Sequence, residues 1–304
     1  MNVKKRFLDL NAVNIGCFAA ALLAQPGKGR VMGVTSRGFF LLIKSDRVLF
    51  LTADSMPGPV NLYLTALPQS VKAGLMGAEV ECSPDTLYFP LNSFQINLKG
   101  AKIWQPPGLP EKVQSAQEWK NQIKSVAHAI LKSGRKAEFL PLLKWMDSPV
   151  LKPGNSENQL TGFIHKALDL QRHVRENEPI KAGRILDSFL GCGPGLTPSG
   201  DDFVWGFLVT LNRWQASLCP QFEIGRLYEF ILTEANKKTT SLSATLIECA
   251  VQGWADAKMM MVMDCLFTGK GSVDDQVEKI LAYGSSSGVD AFAGMAVAIK
   301  TTKN

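Results

Sequence analysis

The pattern of apolar and polar positions changes about a third of the way along the chain. From Gly29 to about Pro107, short β-branched and aromatic runs alternate with turn signals, which is the spacing of strands. Phe39-Phe40-Leu41-Leu42-Ile43 and Val48-Leu49-Phe50-Leu51-Thr52 read as paired strands around Lys44-Ser45-Asp46-Arg47. Glu79-Val80-Glu81-Cys82, Leu87-Tyr88-Phe89 and Phe94-Gln95-Ile96-Asn97-Leu98 continue the series. Several short strands at this spacing predict a small barrel or sandwich. Gln105-Pro106-Pro107-Gly108-Leu109-Pro110 cannot continue a strand and marks a boundary. After Glu111 the period lengthens toward that of a helix, predicting helices over 111–133, 136–147, 157–176, 180–190, 201–217, 221–236, 241–253, 256–267, 273–283 and 287–301. The expected architecture is α+β: a β-rich domain over 1–108 with an N-terminal helix, then a larger all-helical domain over 109–304.

The start of the chain needs a decision between two readings. Lys4-Lys5-Arg6 ahead of the apolar run Ile15 to Ala24 has the outline of a signal peptide. Asp9, Asn11 and Asn14 interrupt that outline, and Gln25-Pro26-Gly27-Lys28-Gly29-Arg30 is a poor cleavage site. The run therefore reads as a helix packed on the body, and Gly27-Lys28-Gly29-Arg30 as an exposed turn that could touch phosphate. The apolar windows Phe203 to Leu211 and Met259 to Phe267 are too short to span a bilayer, so no membrane partner is expected. The stretch Met259-Met260-Met261-Val262-Met263 reads as core or subunit interface.

Composition narrows the class of function. The 304 residues are 46% hydrophobic and 20% charged, ordinary for a packed protein, and carry a net charge of +6. The basic residues are scattered, with short clusters at Lys4-Lys5-Arg6 and Lys237-Lys238. A nucleic-acid binder concentrates them on one element, so no nucleic acid is expected; a mildly basic surface suits small anions. The six cysteines form no C-x-x-C pair and have no histidine at zinc spacing. They read as buried thiols in a reducing compartment, hence a cytoplasmic protein. His128, His165 and His173 all fall in predicted helices and read as structural.

The chemistry concentrates in Gly191-Cys192-Gly193-Pro194-Gly195-Leu196-Thr197-Pro198-Ser199-Gly200-Asp201-Asp202. Alternating glycines let a backbone turn tightly and approach a ligand without Cβ obstruction. Ser199 reads as the N-cap of the next helix, with Asp202 completing a capping box. Free N–H groups at such a start hold phosphate or carboxylate, and Thr197 and Ser199 add hydroxyls. A second copy follows: Ser287-Gly288-Val289-Asp290-Ala291-Phe292-Ala293-Gly294 repeats Ser199-Gly200-Asp201-Asp202-Phe203-Val204-Trp205-Gly206, both reading S-G-x-D-x-x-x-G. A mid-helix glycine costs about 1 kcal/mol relative to alanine, a cost that close helix–helix approach would justify. The two helices are expected to cross near Gly206 and Gly294 and to bring their N-termini to one pocket. Ser286 there, and Thr240 and Ser241 at a third, hydroxyl-rich helix start, would complete it.

Asp201, Asp202 and Asp290 are the candidate catalytic carboxyls. They could bind Mg²⁺ beside a phosphate (Asp201 and Asp202 as ligands), act as a base, or accept hydrogen bonds; the spacing does not choose. Mg²⁺ is the one cofactor left open. There is no P-loop, no G-x-S-x-G elbow, and the glycine loop does not match a Rossmann G-x-G-x-x-G. Cys192 sits in the loop but has no sequence-evident histidine partner.

At these residues the chain resembles a known family. GCGPGLTPSGDDFVWGFL is similar to the G-x-G-x-G-L-T-P-S-G-D-D signature of the AllH family, long regarded as a domain of unknown function. Thr240-Ser241-Leu242-Ser243 and Ser286 to Gly294 resemble its other blocks. The likeness covers most of the chain in outline and is strongest over the central twelve residues. It implies a subunit of oxamate carbamoyltransferase, which works in allantoin degradation with two other kinds of chain. That enzyme converts oxalurate and phosphate into oxamate and carbamoyl phosphate. By the match, Gly191, Gly193, Gly195, Thr197, Ser199, Asp201 and Asp202 would carry binding or catalysis. Taken with the pocket expected from the repeat, Gly191, Gly193, Gly195, Thr197, Ser199, Gly200, Thr240, Ser241, Ser286, Ser287 and Gly288 are the candidates for binding the small anionic substrate (carbamoyl phosphate, oxalurate or oxamate). Asp201, Asp202 and Asp290 would serve catalysis. The partners implied are the other carbamoyltransferase subunits. The alternatives are a non-catalytic ligand-binding or scaffolding subunit and a Mg²⁺-dependent hydrolase.

Overall fold

The computed structural model describes residues 7–147 and 159–302. The cluster Lys4-Lys5-Arg6 and the first two residues of the helix expected over 157–176 lie outside them. The chain divides into two compact units, one formed by 1–107 with 255–257 and the other by 108–254 with 258–304.

The first unit is a β-barrel. Its strands are β1 (Leu8–Gly16), β2 (Gly27–Val34), β3 (Gly38–Ile43), β4 (Arg47–Thr52), β5 (Asn61–Leu64), β6 (Glu79–Cys82), β7 (Thr86–Phe89), β8 (Phe94–Asn97) and β9 (Lys102–Trp104). They run in the order β5-β4-β3-β2-β6-β7-β8-β1-β9. Pairing of Ala12 with Leu64 and Ile15 with Leu62 joins β1 to β5, so eight strands close into a barrel and β9 adds beside β1. Closure removes all but a short free edge. Alternate positions point inward: Leu10, Phe39, Leu41, Leu49, Leu51, Leu62, Leu87, Phe89 and Ile96 are all buried. Phe89 stacks on Phe94 with centroids 4.3 Å apart.

Two expectations change here. The apolar run at Ile15 to Ala24 is not one helix: β1 extends through Gly16, and the helix α1 covers only Cys17–Leu23. Polar residues alternate with apolar ones in β1, so the interruptions by Asp9, Asn11 and Asn14 mark a strand, not a broken helix. Gly27-Lys28-Gly29-Arg30 is the start of β2, paired with Cys82, Glu81, Val80 and Glu79 of β6. At Gly29 a side chain would stand 2.6 Å from the Leu42 carbonyl oxygen, so this glycine allows tight strand packing. A short helix, α2 (Gln69–Lys72), completes the unit.

The second unit is helical: α3 (Ala116–Lys132), α4 (Leu140–Asp147), α5 (Gln159–Arg175), α6 (Pro179–Asp187), α7 (Ser199–Arg213), α8 (Gln215–Leu218), α9 (Ile224–Lys238), α10 (Ser241–Ala250), α11 (Ala257–Thr268), α12 (Val273–Leu281) and α13 (Ser287–Ile299). Each of the ten helices expected from the period has a counterpart, and the α+β class holds. His128 lies in α3, and His165 and His173 lie in α5. Met259, Met260 and Met263 are core, while Met261 is exposed. No helix among the described residues is long and apolar enough to cross a membrane.

The centre of this unit is the pair α7 and α13. Every residue from Gly200 to Leu211 and from Gly288 to Ile299 is buried, as expected for helices that are apolar all round. They touch backbone to backbone. A Cβ on Gly206 would lie 2.0 Å from the Ala291 carbonyl oxygen, and one on Gly294 would lie 2.0 Å from that of Phe203. In the repeated octapeptide these are the same two positions, exchanged. The reciprocal contact makes the helices a local two-fold pair.

Gly206→Ala and Gly294→Ala each gain about 1 kcal/mol of helix propensity. The overlap with the opposing carbonyl outweighs it, and each variant is expected to be less stable by about 2–3 kcal/mol. Urea denaturation measures this; an unchanged midpoint would contradict the crossing.

Candidate functional site

The crossing brings both S-G-x-D starts together. The Thr197 and Ser287 hydroxyls are 3.2 Å apart. Ser287, on α13, lies beside the carboxyl of Asp202 on α7. In exchange, Ser199 on α7 lies beside Asp290 on α13. The side chains thus follow the same two-fold as the glycines. Gly200 and Gly288 seat the two helix starts: a Cβ on either would fall 2.0 Å from a carbonyl oxygen, that of Phe189 or Ile280.

The loop ahead of α7 is exposed from Gly191 to Leu196. Its glycines have φ of 73° (Gly191), 114° (Gly193) and 98° (Gly195), a region that other residues enter only at a cost. Asp201 ties the loop down. Its Oδ1 accepts the Gly191 N–H at 2.8 Å, and its Oδ2 accepts the Thr239 hydroxyl. The Ser243 side chain on α10 lies beside it. Thr240 caps α10 by accepting the Ser243 N–H at 3.1 Å, and donates its hydroxyl to the Leu196 carbonyl at 2.6 Å. The third hydroxyl-rich helix start is therefore part of the site. Ser241 begins α10 and uses its carbonyl to hold Thr245.

The expected capping box is absent. Pro198 is the N-cap of α7, and no side chain caps it. Ser199 and Asp202 are drawn into bonds with α13 instead, so tertiary partners outcompete the local ones. The N–H groups of Gly200, Asp201 and Asp202 are also spent, on the Cys192 and Pro198 carbonyls at 2.9–3.1 Å. The same holds at α13, where Gly288, Val289 and Asp290 donate to Tyr283 and Ser286 at 2.9–3.0 Å. The N–H groups of Gly193, Gly195, Leu196, Thr197 and Ser199 bond to nothing among the described residues. The free donors thus lie in the glycine loop and at the first residue of α7, one step earlier than the sequence pattern implies.

Beneath the loop the environment is dry. Phe139, Phe189 and Phe203 form a cluster with centroids 4.7–5.5 Å apart. Asp201, Asp202 and Asp290 are exposed by 2%, 4% and 0%. Burial is the leading cause that raises all three carboxyl pKa values. Asp202 is pushed up to about 8, because burial is joined by like charge from Asp290 and Asp201 that the Ser287 and Thr197 hydroxyls only partly offset. At neutral pH it keeps its proton. Asp290 Oδ1 accepts the Phe139 N–H at 2.9 Å, while its Oδ2 and the Oδ2 of Asp202 are buried with no hydrogen-bond partner.

Residues 189–299 match the family model of AllH, the oxamate carbamoyltransferase subunit. The AllH-like segment runs from Phe189 to the end of α13, and so contains the crossing, the loop and the start of α10. No solved structure matches the chain.

Some neighbours of the AllH-like segment leave no signal in the sequence. Phe139 reaches Asp290 from 151 positions away. Arg135 grips the α12–α13 turn through the Leu281 carbonyl at 2.8 Å and the Ser285 carbonyl at 3.3 Å. Lys166 sits 4.8 Å from the centre of the Phe189 ring. The Cys192 thiol lies against the Ser188 carbonyl at 3.7 Å. Among the described residues, the one group of three potential metal ligands within 4.8 Å of one another is His173, Glu176 and Glu178, which includes neither Asp201 nor Asp202. There Arg172 and Lys181 already pair the two glutamates.

The buried acid makes a pH prediction. In the unfolded chain Asp202 loses its proton near pH 4, and in the fold only near pH 8. Between these values the folded state binds more protons, so stability falls as pH rises and levels off above about 8. Asp202→Asn removes this slope: relative to the unaltered chain, its melting temperature is expected to rise progressively from pH 4 to pH 8. Parallel melting curves for the two proteins across that range would show that the carboxyl is not protonated in the fold.

Proposed function

We propose that the chain is a subunit of a carbamoyltransferase assembly acting on oxamate, oxalurate or carbamoyl phosphate, and that its glycine loop holds the anionic part of the substrate. The match of residues 189–299 to AllH supports the class of assembly. The observation that carries the site assignment is the set of unspent N–H groups at Gly193, Gly195, Leu196, Thr197 and Ser199, lying over an acid that stays neutral. Backbone N–H groups fixed in a loop stabilise phosphate and carboxylate at little reorganisation cost. Three ionised aspartates would repel the same ligands; a protonated Asp202 does not.

In this reading a phosphate oxygen attacks the carbamoyl carbon of oxalurate, and the carbon–nitrogen bond to the oxamate portion breaks. The departing amide nitrogen needs a proton. Asp202, whose proton leaves near pH 8, is suited to supply it and to take one back in the reverse direction. Thr197 and Ser287 orient its carboxyl. Asp201 has a different role, anchoring the loop through Gly191 and Thr239, so it positions and does not react. Asp290 completes the enclosure.

A second reading keeps the site but moves the chemistry to a partner chain. It is favoured by the depth of Asp202, at 4% exposed, which leaves little direct access while the loop is in place. The two readings separate in one assay. Phosphate-dependent release of oxamate from oxalurate is measured with the purified chain alone, with its companion subunits, and with Asp202→Asn in both settings. If Asp202 carries the proton, its variant loses on the order of 100-fold in turnover while its melting temperature at pH 7 does not fall. Full activity of the variant assembly assigns the chemistry to a partner. Loss of activity in parallel with loss of fold reduces Asp202 to a structural acid.

A further inference from the structure

The repeat that brings the two helix starts together differs at its third position. In the α7 copy this is Asp201, which pins the chain ahead of the helix through the Gly191 N–H and the Thr239 hydroxyl. In the α13 copy it is Val289, which is buried and has no polar side-chain group to offer. Ser287 nevertheless stands 3.2 Å from the Thr197 hydroxyl and beside the Asp202 carboxyl. The bond from the Gly288 N–H to the Tyr283 carbonyl, at 2.9 Å, closes the α12–α13 turn on itself but does not tie it to any other element.

Arg135 supplies that tie. Its guanidinium spans the turn, donating to the Leu281 carbonyl at 2.8 Å and to the Ser285 carbonyl at 3.3 Å. Leu281 is the last residue of α12, where the helix dipole favours a cation. Ser285 is two residues ahead of Ser287. Gly134, with a φ of 70°, turns the chain out of α3, and the Ser133 hydroxyl accepts the Arg135 N–H at 3.3 Å. A little further on, the Phe139 N–H holds Asp290 at 2.9 Å and the Phe139 ring stacks on Phe203. The segment 135–139 therefore grips the start of α13 both before and after Ser287.

We infer that Arg135 is the positioning residue of the α13 half, the counterpart of Asp201, and that by spanning the α12–α13 turn it sets the Ser287 hydroxyl against Asp202. A planar fork suits this task because it reaches two carbonyls at once. The inference deepens the proposed function and rests on Asp202 being the acid that the site uses. Asp202 is faced by the carboxyls of Asp201 on α7 and Asp290 on α13. Lys132 of α3 and Asp274 and Glu278 of α12 line the groove beside Arg135. The charges that dominate at Asp202 are those of Asp290 and Asp201, so Arg135 acts through the hydroxyl that it places. The Ser287 hydroxyl favours the ionised form of Asp202, so misplacing it raises the pH at which this acid loses its proton.

Melting temperatures of the full chain, Arg135→Met, Asp202→Asn and the double variant, followed from about pH 6 to about pH 9.5, test this. The unaltered chain stops losing stability to Asp202 above about pH 8. Arg135→Met is expected to melt lower at every pH, because α12 loses its cap. It is also expected to go on losing stability to about pH 9, so its deficit widens above pH 8. In the Asp202→Asn background the same change is expected to give a deficit that does not vary with pH. A deficit independent of pH in both backgrounds would overturn the inference and leave Arg135 a helix cap. Widening that persists without the Asp202 carboxyl would overturn it too. Arg135→Lys keeps the charge but cannot span both carbonyls; it is expected to widen in the same way with a smaller overall loss, and it decides the matter if Arg135→Met does not fold. The proposed function is read separately, from the pH profile of oxamate release by the assembly. An alkaline limb that moves up with the melting curve in the Arg135 variant supports both. A limb that stays in place while the melting deficit widens leaves the positioning role standing and counts against Asp202 as the proton donor.

Discussion

The contact between two backbones at Gly206 and Gly294 governs the helical unit. Nothing larger than hydrogen fits between each glycine and the opposing carbonyl, so α7 and α13 can meet only in this register. Their N-terminal turns consequently converge, and the serine of each start faces the aspartate of the other. The loop conformation follows from the same constraint. Asp201 can reach both Gly191 and Thr239 only because α7 enters the core at that angle. A close approach deep in the core therefore sets the positions of polar groups at the surface, and the apolar length of both helices stabilises the arrangement.

Electrostatics follow from packing as well. The three acids are far from ordinary behaviour because aromatic and aliphatic side chains exclude water around them. Among the described residues no lysine or arginine offsets the burial of any of the three; hydroxyls and backbone N–H groups bond to them instead. Neutral donors offset burial only in part, and protonation makes up the difference at Asp202. On the proposed reading, such a site holds acids and an anionic ligand in one small volume.

Much of this is legible in the amino-acid pattern. Five strands and all ten expected helices are present, because their apolar periods are long and clean. The repeat S-G-x-D-x-x-x-G is enough to place the crossing at Gly206 and Gly294, since glycine at matched mid-helix positions is tolerated chiefly where two backbones must touch. What the pattern hides has a common cause in distant partners. Ser199 and Asp202 satisfy every local rule for a capping box, yet α13 supplies better partners from far along the chain; the neighbouring Thr197–Ser287 contact spans 90 positions. The end of β1 is obscured differently: Ile15 to Ala24 is nearly all apolar, so its period does not show where strand gives way to helix. Phe139 and Arg135 act through a main-chain N–H and a long side chain, and neither leaves a pattern in its own neighbourhood.

The two halves of the crossing differ in one respect. Helices α6 and α12 have nine residues each, but Ser188 to Pro198 joins α6 to α7 while only Ala282 to Ser286 joins α12 to α13. Symmetry would offer a bound molecule two equivalent orientations. On the proposed reading, the longer connection removes one of them, because the glycine loop with its amide donors has no counterpart ahead of α13. A near-symmetric frame thereby acquires a direction, which a molecule with unlike ends requires and a symmetric one could not exploit.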